Sequence, residues 1–176
     1  VFEGVNGAGK TTLLNHIHTH LQSLQVPDLV TREPGSSHMK LGQAVRDLVL
    51  ASEVGGISPL AESYLFAADR AEHVEKVVLP ALRRNTVVLC DRYVYSSIAF
   101  QGAGRELGVE RIAALNAPAI QDLHPDLVFL LDLPPEEGLR RTKGREASSD
   151  VLEQETLIFH KRVRKGFLDL AKHHPT

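Results

Sequence analysis

The stretch that decides the fold of this chain reads Glu3-Gly4-Val5-Asn6-Gly7-Ala8-Gly9-Lys10-Thr11-Thr12. Positions 4–11 satisfy the pattern G-x-x-x-x-G-K-[ST], with apolar residues before it and apolar residues at helical spacing after it. Its glycines let successive backbone N–H groups turn inward at the start of a helix, where anions are favoured. Lys10 adds a positive charge, and Thr11 adds a hydroxyl for a magnesium ion that a nucleotide carries. A glycine-rich turn that only caps a helix is the alternative, but the spacing favours a nucleoside-triphosphate loop formed by Gly4, Val5, Asn6, Gly7, Ala8, Gly9, Lys10, Thr11 and Thr12.

The bulk properties of the chain predict one domain with small-molecule partners. Its 176 residues are enough to bury about two thirds of the unfolded surface in a single core. The 20 basic and 22 acidic residues give no global positive field of the kind that a nucleic-acid partner requires. Cys90 is the only cysteine and lies in an apolar run, so we expect a buried thiol and a cytoplasmic location. No apolar run approaches the roughly 20 residues of a membrane span, and we expect no membrane partner.

The apolar pattern after the loop alternates between helices and strands. Apolar residues recur at helical spacing over 13–24, and we expect further helices over 41–51, 60–83, 108–121 and 136–141 and from position 152 onward. Runs typical of strands cover 29–31, 86–90 and 127–131; the run at 86–90 has a buried-strand pattern, and we expect the strand at 127–131 to be fully buried. Such alternation predicts an α/β fold with a parallel sheet and helices on both faces.

Charged residues follow two of these strands. Asp91 and Arg92 come directly after the strand at 86–90, and an acid there would complete a magnesium shell together with Thr11. Arg92 would then face the phosphates, whereas a structural salt bridge between Asp91 and Arg92 is the alternative. Charges at the carboxyl ends of strands are well placed to bind a ligand in an open α/β sheet.

The helices carry further candidates for a nucleoside pocket. Phe66 and Arg70 lie four residues apart on one helical face, where a ring can stack on a base while a guanidinium reads its edge. The alternative is a core phenylalanine beside a surface arginine. Arg46 could likewise be a solvated helix charge, and residues 96–102 could form an ordinary helical turn. The polar stretch over 142–150 fits either a lid over ATP or a plain solvated loop.

Taken together, these blocks resemble the bacterial thymidylate kinases. The resemblance covers nearly the whole chain and is carried in order by positions 3–11, Thr31-Arg32-Glu33-Pro34-Gly35, Leu65-Phe66-Ala67-Ala68-Asp69-Arg70, Asp91-Arg92-Tyr93, Ser96-Ser97, Ala99-Phe100-Gln101-Gly102 and Arg162-Val163-Arg164. It implies a P-loop nucleoside monophosphate kinase fold and transfer of the γ-phosphoryl group of ATP to dTMP, with Mg²⁺ as the cofactor. It also implies a homodimer.

The resemblance further implies a role for each acceptor-site residue. Phe66 resembles the ring that stacks on thymine, Arg70 the donor to a base carbonyl, and Phe100 the ring that packs on the deoxyribose. Arg46 and Arg92 match positions that hold the acceptor phosphate, Ser97 and Gln101 match base contacts, and Asn6 and Glu33 complete the implied dTMP site. Family members place a catalytic arginine in the loop or in the lid. Because position 7 is glycine, we expect the charge from a lid over about 142–152, with Arg145 and Arg141 as candidates beside Lys10 and Arg92.

The chain departs from the family pattern in three places. Asn6 stands where an acid is usual, Asp150-Val151 stands where Asp-Arg is usual, and family members continue past position 176 into another strand and helix. Since an initiating Met is also missing, we expect both ends to be truncated. Two other functions stay open at this point: a deoxynucleoside kinase that acts on a hydroxyl, with Glu33 as its base, and a non-catalytic nucleotide-binding module.

Overall fold

The computed structural model describes residues 1–50, 56–142 and 152–173 of the chain. In that part, the strands are β1 (Phe2–Gly4), β2 (Asp28–Arg32), β3 (Val87–Asp91) and β4 (Phe129–Leu131). The α-helices are α1 (Lys10–Ser23), α2 (Lys40–Leu50), α3 (Pro59–His73), α4 (Leu79–Leu82), α5 (Val94–Ser97), α6 (Val109–Ile120), α7 (Pro135–Thr142) and α8 (Leu157–His173). Two π-helical segments cover Val74–Val78 and Ile98–Gly104. Across the described residues, no helix combines the length and the apolar character that a membrane span requires.

The strands form one parallel sheet in the order β2-β3-β1-β4, as the alternating pattern predicted. β2 and β3 pair from Asp28↔Val87 to Arg32↔Asp91, while Phe2 of β1 pairs with both Asp91 and Phe129. β2 and β3 therefore end level with Phe2, whereas β1 and β4 continue side by side to Gly4 and Leu131. Because parallel strands present their carboxyl ends at one edge, the segments after β1, β2 and β3 meet there.

Helices cover both faces of the sheet. Phe2 and Leu89 pack with Leu14 of α1, and Phe2 stacks on Phe129 with 5.3 Å between ring centroids. The next residue of β1, Glu3, accepts hydrogen bonds from the α5 region instead. Successive strand side chains point to opposite faces, so α1 and α5 lie on opposite sides of the sheet. A second core on the α5 side joins α2, α3, the π-helical segment Ile98–Gly104 and α8, through Val45, Val49, Phe66, Phe100, Phe159, Val163 and Phe167.

The structure corrects three sequence-based expectations. The strand predicted over 127–131 is shorter and is not fully buried, because β4 pairs only with β1 in the described sheet and Leu127 is 50 % exposed. The long helix predicted over 60–83 is interrupted by the π-helical turn Val74–Val78. The last helix begins at Leu157 rather than at position 152. Most of the predicted lid, residues 143–151, lies outside the described residues, whereas Thr142 ends α7 and Leu152 is buried in a turn.

Candidate active site

A cavity of about 300 Å³ lies at the carboxyl edge of the sheet. Fifteen residues that the sequence singled out line it: Asn6, Gly7, Gly9, Lys10, Thr11, Thr12, Glu33, Arg46, Phe66, Arg70, Asp91, Arg92, Ser97, Phe100 and Gln101. They come from six segments of the chain, so the fold brings together what the sequence keeps apart. The remaining loop residues Gly4, Val5 and Ala8 are not among the lining residues, and Arg145 lies outside the described part of the chain.

The loop between β1 and α1 has the curled backbone that the glycine pattern predicted. Gly4 and Gly7 have φ angles of 137° and 76°, which side chains with a Cβ rarely adopt. Gly7 also lies directly against the backbone of Gly138 in α7, where a Cβ on either residue would collide with the other segment. A side chain at position 7 is therefore excluded by backbone packing as well as by conformation.

Lys10 begins α1 and folds back over the loop. Its Nζ donates hydrogen bonds to the carbonyl oxygens of Gly4 and Val5, at 3.2 and 3.0 Å. The side chain is buried, which places the ammonium charge inside the curve of the loop rather than in solvent. A buried cation beside converging N–H groups favours a polyanion such as a triphosphate.

Thr11 and Asp91 form a pair of oxygen ligands beside Lys10. The Thr11 hydroxyl donates to Asp91 Oδ2 at 2.9 Å, so an alcohol oxygen and a carboxylate face one point of the cavity. Hard oxygen ligands of this kind suit Mg²⁺, which usually takes only one or two protein ligands together with substrate phosphates. Among the described residues, no cluster of three or more His, Cys, Asp or Glu side chains could hold a metal by itself. The pair therefore fits an ion that arrives with its nucleotide.

Arg92 is fixed between the loop and the rest of the cavity. Its Nη1 donates to Gly4 O and Ser96 Oγ, each at 3.0 Å, and its Nη2 donates to Asn6 Oδ1 at 2.5 Å. The guanidinium also lies over the Phe100 ring, 4.9 Å from its centroid. Of the ion pairs in the described part of the chain, none joins Arg92 to Asp91, so the salt-bridge alternative is not observed. Arg92 has φ of 72°, a conformation that costs about 1 kcal/mol or more outside glycine.

Arg70 is buried, so the alternative hypothesis, that it is a surface arginine, is wrong. Only 2 % of the residue is exposed. Its Nε donates to Glu33 Oε2 at 2.8 Å, Nη1 donates to Ser97 Oγ and Asn116 Oδ1, and Nη2 donates to Tyr93 O at 3.2 Å. Four of the five N–H groups of Arg70 thus donate to acceptors among the described residues. The fifth N–H, on Nη2, belongs to a side chain that lines the cavity.

Glu33 is the centre of a buried polar cluster. It follows β2, and its second oxygen, Oε1, lies 2.8 Å from Nδ1 of the buried His73. His73 in turn contacts the Thr31 hydroxyl through Nε2 at 2.7 Å. Asp69 is buried nearby, and burial, followed by the negative charge of Glu33, raises the pKa of Asp69 to about 6. Both oxygens of Glu33 are thus engaged with Arg70 and His73, which does not fit a general base waiting for a hydroxyl substrate.

Several residues to which the sequence assigned no individual role complete the site. Arg32, Pro34, Leu50, Ser96, Leu152 and Glu153 also line the cavity. Glu3 is buried behind it, where it accepts from Tyr93 N, Ser96 N and Ser96 Oγ, and burial raises its pKa. An acid inside an apolar strand, directly before Gly4, was the available signal for Glu3. The position of Glu153, which accepts from Asn6 Nδ2 at 3.5 Å, has no such signal because the two residues are far apart in sequence.

Arg141, on the last turn of α7, lies beside the loop. Its Nε donates to Glu137 Oε1 at 2.9 Å and its Nη1 donates to Gly7 O at 3.4 Å. The side chain is about half exposed. Arg141 thus reaches the loop from outside the cavity, and it is not among the lining residues.

Comparisons with known proteins agree with this geometry. The family model for thymidylate kinase matches residues 2–176. The thymidylate kinase of Cutibacterium acnes is 50 % identical over 175 residues, which cover 99 % of this chain and 83 % of the relative. That of Desulfovibrio desulfuricans is 44 % identical over 180 residues, covering 99 % and 82 %. The crystal structure of thymidylate kinase from Ehrlichia chaffeensis superposes with a TM-score of 0.77 at 33 % identity, covering 99 % of this chain and 84 % of that one. The chain belongs to the thymidylate kinase family and has its P-loop nucleoside monophosphate kinase fold.

Proposed function

We propose that this chain transfers the γ-phosphoryl group of ATP to dTMP, giving dTDP and ADP. One observation carries the proposal: a single cavity joins the loop with Lys10 to a chamber lined by Phe66 and Arg70. The loop is suited to a triphosphate donor, and the chamber is suited to a flat base with a hydrogen-bonding edge. Membership of the thymidylate kinase family supports the same pair of substrates.

On the donor side, we assign the phosphates of ATP to the loop amides and to Lys10. Thr11 and Asp91 are the residues that would hold Mg²⁺, which supplies positive charge to the transferring phosphoryl group when it is bound. The short distance between their oxygens and their position beside Lys10 support this assignment.

On the acceptor side, we assign the base to Phe66, Arg70, Ser97 and Gln101. Phe66 offers a ring for stacking on thymine, and the fifth N–H of Arg70 is the donor for a base carbonyl. Ser97 lies next to Arg70, to which its hydroxyl oxygen is hydrogen-bonded at 3.1 Å. Its own O–H can therefore donate into the chamber.

The sugar and the acceptor phosphate fall between the base chamber and the loop. We assign the deoxyribose to Phe100, and the phosphate to Arg92 and Arg46, whose Nη1 donates to Pro34 O at 3.1 Å. Asn6 and Glu33 line the same cavity. Asn6 accepts from Arg92, so it helps to orient the guanidinium that would face the phosphate.

The reaction needs positive charge more than it needs a base. The acceptor phosphate has a second pKa of about 6 and is therefore an anionic nucleophile at neutral pH. One of its oxygens bonds to the γ-phosphorus while the bond to the β–γ bridging oxygen breaks, and ADP leaves with the electron pair. Lys10 and Arg92, which both donate to Gly4 O, bring positive charge to the two anions, and we assign the remaining charge to a lid arginine, Arg145 or Arg141. Closure of a lid over 142–152 would also exclude water.

An ADP-release assay tests this function. Purified protein is supplied with Mg²⁺ and ATP, and with dTMP, dUMP, thymidine or no acceptor. We expect rapid release with dTMP and near-background release with thymidine, because no base is placed for a hydroxyl. Release with thymidine but not with dTMP would establish a deoxynucleoside kinase instead. Binding of ATP without release for any acceptor would establish a non-catalytic module.

We also propose that the chain forms a homodimer through α2 and α3. Leu41 and Leu48 are exposed on the same face of α2 at 46 % and 38 %, and Tyr64 is 59 % exposed on α3, which packs against α2. Exposed large apolar side chains on adjoining elements are typical of a protein interface.

A cytoplasmic location also stays a prediction, supported by the buried free thiol of Cys90.

A further inference from the structure

Behind the base chamber, Glu62 of α3 holds the side-chain amide of Gln101. Gln101 Nε2 donates to Glu62 Oε1 at 2.8 Å, and both residues are buried. Gln101 lines the cavity, whereas Glu62 is not among the lining residues. Glu62 therefore touches the amide from the side that faces away from a ligand.

The contact fixes which end of the amide faces the ligand. A carboxylate accepts hydrogen bonds but donates none, so only the NH₂ end of Gln101 can turn toward Glu62. The carbonyl oxygen, Oε1, is then the amide atom available on the cavity side. Without Glu62, the two orientations of an amide would differ little in shape, and Gln101 could present either a donor or an acceptor.

Glu62 is itself held from its far side by Arg105. Arg105 Nη2 donates to Glu62 Oε2 at 3.0 Å, and Arg105 Nη1 donates to Glu155 Oε1. The guanidinium also lies over the ring of Phe159 in α8, 5.0 Å from its centroid. Packing and two carboxylates thus fix Arg105, and Arg105 fixes Glu62 in place behind the amide.

We propose that Glu62 is a positioning residue that makes position 101 an acceptor and thereby selects the base. Thymine and uracil carry an N–H at N3, which can donate to Gln101 Oε1. Cytosine has a bare ring nitrogen at N3, which would face the same oxygen with two acceptors opposed. This inference rests on the proposed assignment of Gln101 to the base of dTMP. Beyond that assignment, it gives a role to Glu62, which does not touch the substrate, and it explains why dCMP would be rejected.

Three variants test the proposal by steady-state kinetics with dTMP and dCMP. Glu62→Leu removes the acceptor behind the amide, and we expect the dTMP KM to rise about tenfold with kcat within about twofold. The preference for dTMP over dCMP in kcat/KM should fall by a similar factor. Glu62→Gln can still place an oxygen where Oε1 lies, and it should retain most of the preference. Glu106→Gln weakens an exposed ion pair with Arg162 that includes neither Glu62 nor Gln101, and it should leave the preference unchanged.

A double-variant cycle separates this inference from the proposed function. Gln101→Ala alone should raise the dTMP KM, and adding Glu62→Leu to it should change the preference no further. If Gln101→Ala leaves the dTMP KM unchanged, the assignment of Gln101 to the base is wrong, and this inference fails with it. If Gln101→Ala raises KM but Glu62→Leu alters neither KM nor preference, only the inference is overturned. Thermal melting of each variant checks folding, and Glu62→Ala is the substitute if Glu62→Leu does not fold.

Discussion

At the scale of single residues, Arg70 combines two functions that are usually separated. Its guanidinium ties α3 to Glu33, to α5 and to Asn116 of α6, while the same side chain lines the base chamber. A residue that merely bound ligand would expose its donors, and a residue that merely held the fold would not reach the cavity. Arg70 therefore links acceptor binding to the stability of the domain.

We expect Arg70→Ala to impair both properties at once. The substitution leaves the buried Glu33 carboxylate without its main partner, which should lower the free energy of unfolding by about 3–5 kcal/mol. Urea unfolding measures the stability, and calorimetry with dTMP measures affinity at a temperature where the variant is folded. Arg83→Ala, at an exposed arginine beyond α4, is the control and should change neither. Full stability with unaltered dTMP affinity would contradict the assignment.

Asp69 should make the stability of the domain depend on pH. Its pKa is raised from 3.8 to about 6 in the folded chain, so between these values the folded state binds more protons than the unfolded state. The free energy of unfolding should therefore fall as pH rises from about 4 to about 6, by up to about 3 kcal/mol from this group. Asp69→Asn removes the titration. The free energy of unfolding of the variant minus that of the parent should therefore rise between pH 4 and pH 7. A difference that stays constant over this range would contradict the prediction.

At the scale of elements, α7 connects the loop to the lid segment. Gly138 packs on the loop backbone, Arg141 reaches Gly7 O, and the helix ends at Thr142, directly before the predicted lid. Arg141 stands on a helix that already contacts the loop, whereas Arg145 belongs to the predicted lid and lies outside the described residues.

We expect Arg145→Ala to lower kcat by about a hundredfold or more, with a much smaller change in the dTMP KM, because the charge is needed mainly in the transition state. Initial rates with saturating ATP and varied dTMP measure both constants. Arg140→Ala is the matched control, because Arg140 is 75 % exposed and forms an ion pair with Glu137 on the same helix. If Arg145→Ala keeps its kcat while Arg141→Ala loses it, the catalytic charge comes from α7 instead.

At the scale of the whole molecule, the exposed apolar face of α2 and α3 predicts self-association. We expect the double substitution Leu48→Lys with Tyr64→Lys to convert a dimer into a monomer, because burying two ammonium groups in an apolar interface is unfavourable. Sedimentation velocity measures the molecular mass. Leu82→Lys, at an equally exposed leucine on α4, is the control and should leave the dimer intact. A monomeric parent protein would contradict the proposal directly.

Much of this molecule could be predicted from sequence because its signals are local. The loop pattern, the spacing of Phe66 and Arg70, and the acid after a strand each lie within a few residues, and the structure gathers them in one cavity. The partners of these residues could not be predicted in the same way. Glu33 and His73 are 40 positions apart, and Glu62 and Gln101 are 39 positions apart, so no short pattern joins them. The burial of β4 was mispredicted because β4 is only partly buried at the edge of the described sheet, and apolarity alone does not distinguish such a strand from a central one.

The contact between Gly7 and Gly138 also restricts how this enzyme could evolve. The family resemblance implies a catalytic arginine either in the loop or in the lid, and an arginine in the loop would require a side chain at position 7. Here that side chain would meet main-chain atoms of α7, and the facing residue is already glycine, so no smaller neighbour could make room. A single Gly7→Arg exchange would therefore not convert one catalytic arrangement into the other. α7 would have to move before position 7 could carry a side chain, so the placement of a helix, and not only the choice of one amino acid, keeps this loop free of an arginine.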